Sequence, residues 1–183
     1  MSATIDNLEI IEYNQEIVRI RNSSAIIQRE ALNGFIFCMS LVRKMRDAKE
    51  IFPDYDDCWY MTASKAEGLA IILSSLLRER IMSGRNSDNH IVDPAIPLEN
   101  LSVHCRHDAV LYLDREVHIS NTGALTVEQF MHKIRDMAFT KPLSFAREKE
   151  FRFSFTILAG NRILTPIVDN VILDGEELTD WLI

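Results

Sequence analysis

At 183 residues, 47% hydrophobic and 26% charged, the chain has a globular composition that excludes intrinsic disorder. Its net charge of −7 argues against a nucleic-acid backbone as main partner, because phosphate binding calls for a basic surface. No apolar run nears the ~18 residues that span a bilayer. Residues 1–9 lack the basic and apolar regions of a secretory signal. Three widely spaced cysteines, Cys38, Cys58 and Cys105, exclude a disulfide framework and a standard zinc finger. The expectation is a soluble, cytoplasmic single domain over 1–183, with reduced thiols and no membrane partner.

In chain order, 8–13 and 16–21 are β-prone runs separated by Asn14-Gln15, a hairpin pattern. Ser23 and Ser24 stand as caps before a predicted helix over 25–32, with Asn33-Gly34 as its left-handed stop. Phe35-Ile36-Phe37-Cys38-Met39 is continuously apolar and predicts a central, doubly buried strand ending at Ser40. Residues 41–52 predict a short helix or ordered loop, broken at Pro53. Asp54 to Met61 sets acids beside Trp59 and Tyr60. The clearest helix runs from 63 to 82, where Leu69, Ile72, Leu73, Leu76, Leu77 and Ile81 recur at three- and four-residue spacing. Thr62 or Ser64 would cap it and Ser83-Gly84 would end it.

Residues 85–100, polar and holding Pro94 and Pro97, form the longest loop and the best lid candidate. Short strands are predicted over 101–105, 109–113 and 116–119. Thr126-Val127-Glu128-Gln129 is a capping box opening a helix to about Met137. Phe151, Phe153 and Phe155 alternate with Arg152 and Ser154, the period of a half-buried strand over 151–158. A turn over 159–162 joins it to a strand over 163–168, a further short strand covers 171–173, and 176–183 is a weak helix or docked tail. Clustered strands with helices between them, without strict alternation, predict an α+β fold: one domain with a mostly antiparallel mixed sheet and packed helices.

The densest chemistry is Lys141 to Arg152. Glu148 and Glu150, two apart at the mouth of a strand, would project from one face and could divide labour as paired carboxylates. Lys141, Arg147 and Arg152 could bind a phosphate or carboxylate, with Arg suited to bidentate contact. The plainer reading of these charges is a solvated edge with weak surface pairs. Ser40 would display a hydroxyl rigidly at a strand end, or merely cap the next segment. Trp59 and Tyr60 would stack on a planar ring or anchor the core. His104, Cys105, His107 and His118 lack a carboxylate or second cysteine at metal-site spacing, so no metal is expected. Cys105 or Cys58 paired with a His is an open nucleophile reading. His90 and His132 look like surface residues.

Phe37-Cys38-Met39-Ser40, the Trp-bearing Asp57-Cys58-Trp59-Tyr60, and Lys141…Phe145…Glu148-x-Glu150-Phe151-Arg152 together resemble a large bacterial family of unknown function. That family is associated with mobile elements and phage defence, and its members close on Lys, a spacer and Glu-x-Glu-Trp/Phe-Arg. The resemblance covers roughly 35–157 and brings no settled activity. More distantly, the order Arg19 or Arg21, then Cys38-Met39-Ser40, then Glu148-x-Glu150 is similar to that of ADP-ribosyltransferases. That likeness implies NAD as the cofactor or substrate. It would put the Arg on the pyrophosphate and Ser40 beside the ribose. Glu150 would hold the ribose 2′-hydroxyl and stabilise the oxocarbenium-like state, while Glu148 activated the acceptor. Two functions are therefore expected: a nucleotide- or NAD-utilising enzyme, or a non-catalytic module that binds a protein partner, such as a defence sensor, an inhibitor or an antitoxin.

Overall fold

A computed structural model describes residues 2–6, 9–14, 18–21, 24–28, 33–55, 58–113 and 137–181. By its internal contacts the chain divides into two compact units, Met1–Asn33 and Gly34–Ile183, each described by itself. The secondary structure is α+β, with mostly antiparallel pairing. Among the described residues no helix is long and apolar enough to cross a membrane.

In the first unit β1 (Ser2–Asp6) pairs antiparallel with β4 (Ser24–Gln28), and β2 (Glu9–Tyr13) with β3 (Val18–Arg21). The β2–β3 pair is the hairpin that the alternating runs predict. The helix expected from residue 25 is instead β4. Its consecutive β-branched residues Ile26 and Ile27 favour an extended backbone. Its partner strand begins at Ser2, far outside any local window.

The second unit is organised on β9 (Glu150–Ala159). Along one side runs β6 (Leu101–Ala109), in register from Leu101 opposite Ala159 to Ala109 opposite Phe151. On the other side β5 (Ile36–Ser40) pairs the first half of β9 and β10 (Arg162–Leu164) the second, all antiparallel. The predicted hairpin turn is made by Gly160, whose φ of 58° is the left-handed conformation that glycine adopts without strain. The predicted centre of the sheet is displaced: among the described residues β5 pairs only with β9, and Ile36 and Cys38 are exposed. An apolar run reports side-chain surroundings, not the number of backbone neighbours. Gly34, expected to end a helix, serves a close approach, since a Cβ there would stand 2.9 Å from the Phe155 carbonyl oxygen.

Residues directly opposite each other in an antiparallel pair share a face. Phe37, Met39, Phe151, Phe153, Phe155 and Ile157 therefore look one way, onto Leu69, Leu73, Leu77 and Ile81 of α2 (Ala66–Asn86). This is the core, with Leu69 and Phe153 fully excluded from solvent. Cys38, Ser40, Glu150 and Arg152 occupy the opposite face by the same alternation. β9 thus separates an aromatic core from a polar site.

A 3₁₀ turn, Ala63–Lys65, leads into α2, which runs through Ser83-Gly84 before stopping. Gly84 lets the chain fold back tightly, because a Cβ would collide with the Asn89 carbonyl. The loop after α2 is no lid. Ile91 and Val92 are buried in the core, Val92 bridges Pro166, and Arg85 Nη1 donates to the Ile96 carbonyl at 2.8 Å. Where two strands were predicted over 101–113, one nine-residue strand is followed by the short β7 (Leu111–Leu113), parallel to β8 (Thr140–Pro142). α1 (Met45–Ile51) ends before Pro53 as expected. Residues 171–173 form no strand, and Glu176–Trp181 is 3₁₀. The strand expected over 116–119, most of the capping-box helix, Asp56, Asp57, His118 and His132 lie outside the described residues.

Phe153, in contact with β5, β6 and the α2 core, is the largest fully buried side chain among the described residues, so truncating it leaves a large cavity. Phe153→Ala is expected to lower unfolding free energy by about 3–5 kcal/mol, measured by chemical denaturation.

Candidate functional site

Four charged side chains meet where β8, the 3₁₀ turn Leu143–Glu148 and β9 converge. Lys141 Nζ donates to Glu148 Oε2 at 2.6 Å and to Glu150 Oε2 at 3.1 Å. Arg152 closes on Glu150 from the other side, with Nε to Oε1 and Nη2 to Oε2, both 3.1 Å. Arg152 Nη1 also donates to the Ala138 carbonyl at 2.6 Å. Lys141 Nζ lies 4.7 Å from the Phe145 ring centre. The Lys, the spacer aromatic and the Glu-x-Glu-Phe-Arg run are thus one bonded cluster.

The two carboxylates share a side for a reason other than strand period. Glu148 ends the 3₁₀ turn, and Lys149 adopts φ 46°, ψ 49°, a left-handed residue that reverses the chain before Glu150 begins β9. Three bonds hold this reversal. Ser40 Oγ donates to the Glu148 carbonyl at 2.6 Å, the Leu41 N–H to the Lys149 carbonyl at 2.8 Å, and the Glu150 N–H to Tyr112 Oη at 2.7 Å.

Burial by itself would raise the Glu150 carboxyl. Hydrogen bonds from Arg152, the Cys38 thiol and Lys141 outweigh it and hold the group at about 2. Desolvation likewise opposes the charge on Lys141 and Arg152, but their bonds to the acids raise both. Cys38 is pushed up to about 11, first by burial of its thiol and then by Glu150. It stays a protonated donor and no nucleophile. A carboxylate offers about four lone-pair sites, and Arg152 twice and Lys141 take three of those of Glu150, with the Cys38 thiol beside the group. Glu148 gives Oε2 to Lys141, and its Oε1 has no partner among the described residues.

The cluster forms the polar side of a cavity of about 380 Å³. Cys38, Ser40, Glu148 and Glu150 line it, facing Met45, Phe52, Tyr55, Trp59 and Tyr60. Trp59 stacks on Phe37 with centroids 6.4 Å apart and planes at 12°, yet remains 43% exposed. The arrangement can hold a planar, hydroxyl-bearing molecule between aromatic rings and carboxylate oxygens.

Of the residues singled out in the sequence, Ser40, Trp59, Tyr60, Glu148 and Glu150 therefore line one cavity. Lys141 and Arg152 stand behind its acids, with their charges engaged by them. Arg147 is exposed on the 3₁₀ turn and does not line the cavity. Arg19 lies on β3 of the first unit, where it pairs with Glu12 at 3.0 Å. His107 bonds Glu67 at 2.9 Å and lies against Phe151 and Phe153. Burial, then Glu67, pushes Cys105 up to about 11, so its thiol is no ready nucleophile either. Among the described residues no three His, Cys, Asp or Glu side chains converge as a metal-ligand set.

The sequence reading missed Met45, Ala48, Lys49 and Phe52, which line the cavity from one face of α1 and its C-cap. Their i, i+3, i+4, i+7 spacing was the available signal. Tyr112 carried none. Comparison with family models, curated proteins and solved structures finds no match to this chain.

Because the folded Glu150 carboxyl lies below its ordinary value of 4.5, its contribution to stability is complete above 4.5 and is lost as pH falls towards about 2. Glu150→Gln should be less stable at pH 7 and lose less on acidification through that window, in denaturation series at stepped pH. An identical acid profile for both proteins would show that the cluster does not stabilise the fold.

Proposed function

We propose that the protein is a nucleotide- or NAD-utilising enzyme that acts at a glycosidic bond in this cavity. The observation that carries the reading is the convergence of Ser40, Glu148 and Glu150 on one concavity walled by Trp59, Tyr55 and Phe52. A base or nicotinamide ring lies against the aromatic wall, and ribose hydroxyls bond Glu148 Oε1 and the Ser40 oxygen. Ser40 spends its proton on the Glu148 carbonyl and keeps lone pairs to accept.

The two acids take unequal parts. Glu150, bonded by Arg152 and Lys141, is a fixed anion that positions both cations and the floor of the cavity. Glu148 is the reacting base. As the C1′–N bond breaks, the leaving ring departs with the bonding pair, and the attacking hydroxyl or water adds its oxygen to C1′ while its proton passes to Glu148. The likeness to a family associated with phage defence supplies a setting, consumption of NAD or a nucleotide during infection.

Calorimetric titration with NAD and ADP-ribose, alongside chromatographic assay of released nicotinamide, tests the reading. NAD is expected to bind the wild type, and Glu148→Gln to retain binding while losing release by about 10²–10⁴-fold, the usual loss of a general base. A wild type that neither binds these ligands nor releases nicotinamide overturns it in favour of the partner-binding module.

A further inference from the structure

The acidic charge on the cavity wall is accounted for by its pairs with Lys141 and Arg152. Lys49 is the only Lys or Arg lining the cavity among the described residues, and it has no ion-pair or hydrogen-bond partner there. Glu148 and Glu150 line the same cavity, yet neither pairs with it, because their pairs are with Lys141 and Arg152. The cavity therefore presents an acid cluster whose charge is matched by Lys141 and Arg152, together with one cationic donor that those acids do not engage.

A cluster of two acids and two bases is neutral as a unit, so it neither repels an anion nor draws Lys49 to itself. Lys49 reaches the wall from the same helical face as Met45, Ala48 and Phe52. A lysine ammonium is a compact point charge with three donors, suited to a phosphate oxygen that need not be gripped bidentately.

We infer that Lys49 is an anion subsite that holds a phosphate of the ligand, so that the cavity selects phosphorylated nucleosides over free ones. The inference rests on the nucleotide reading of the cavity and adds the substrate class. The phosphate bonds Nζ, and the sugar and ring extend towards Ser40, Glu148 and the aromatic wall. This differs from an assignment of phosphate to Lys141 or Arg152, whose charges the carboxylates already engage.

Titrations of adenosine and AMP into the wild type, Lys49→Met and Lys49→Arg separate the possibilities. The wild type should prefer AMP by about tenfold, the scale of one charge-assisted hydrogen bond at a partly exposed site. The preference should shrink as salt is added. Lys49→Met, which keeps the length of the side chain, should bring AMP to the affinity of adenosine, and Lys49→Arg should restore the gap. An unchanged AMP-to-adenosine ratio in Lys49→Met, with both ligands still bound, overturns the subsite and leaves the nucleotide reading standing. Failure of the wild type to bind either ligand overturns both.

Discussion

The structure of the site depends on burying one carboxylate. Glu150 is 8% exposed, and withdrawing an ionised carboxylate from water costs several kcal/mol unless its oxygens are bonded to cations and donors. Arg152, Lys141 and the Cys38 thiol meet that requirement together. The consequence is geometric. Arg152 is the strand neighbour two residues on and Lys141 comes from β8, while Cys38 comes from the facing strand β5. Satisfying one acid therefore fixes three segments of chain around the floor of a cavity.

The same requirement explains why the Lys…Glu-x-Glu-Phe-Arg run works as a unit. Arg152 comes after Glu150 at the period of a strand and can chelate it from the same face. Phe151 and Phe153 point the other way, into the α2 core, and hold the strand in register. Lys141 lies on a short strand parallel to β7, and Tyr112 of β7 accepts from the Glu150 backbone. Removing one cation would leave the carboxylate buried and incompletely paired, which costs more than the pair itself contributes.

Local pattern made much of this legible and left specific parts hidden. The alternating phenylalanines gave β9, and the three-and-four periodicity gave α2, because each depends on the element's own surroundings. The hairpins at 9–21 and 150–164 were legible because their partners are close in sequence. β4 was not, since its partner begins at Ser2, and neither was the edge placement of β5, which is decided by β9 more than a hundred residues later. Co-facing of Glu148 and Glu150 was expected from strand period, yet it arises from a left-handed lysine that no simple turn rule favours. The aromatic and charged cavity wall contributed by α1 lay in a seven-residue helix, too short for its periodicity to stand out.

Two acids spaced i, i+2 and bridged by one lysine cannot play interchangeable roles. The bridge occupies one acceptor on each, after which the supply of donors decides. Glu150 has Arg152 beside it in the strand and takes two further bonds from it, whereas Glu148, at the end of a turn, has only the lysine among the described residues. On the enzymatic reading proposed above the reacting carboxylate is therefore Glu148, and the hydroxyl of Ser40 is set by the Glu148 backbone itself. The neutrality of the cluster has a second effect. With two acids cancelled by Lys141 and Arg152, the cavity's discrimination falls to shape, to hydrogen bonding, and to whatever charge stands outside the cluster. Along the described wall that charge is Lys49. A cavity whose acids are screened in this way can admit an anionic ligand beside a carboxylate, which an unpaired pair of acids would repel.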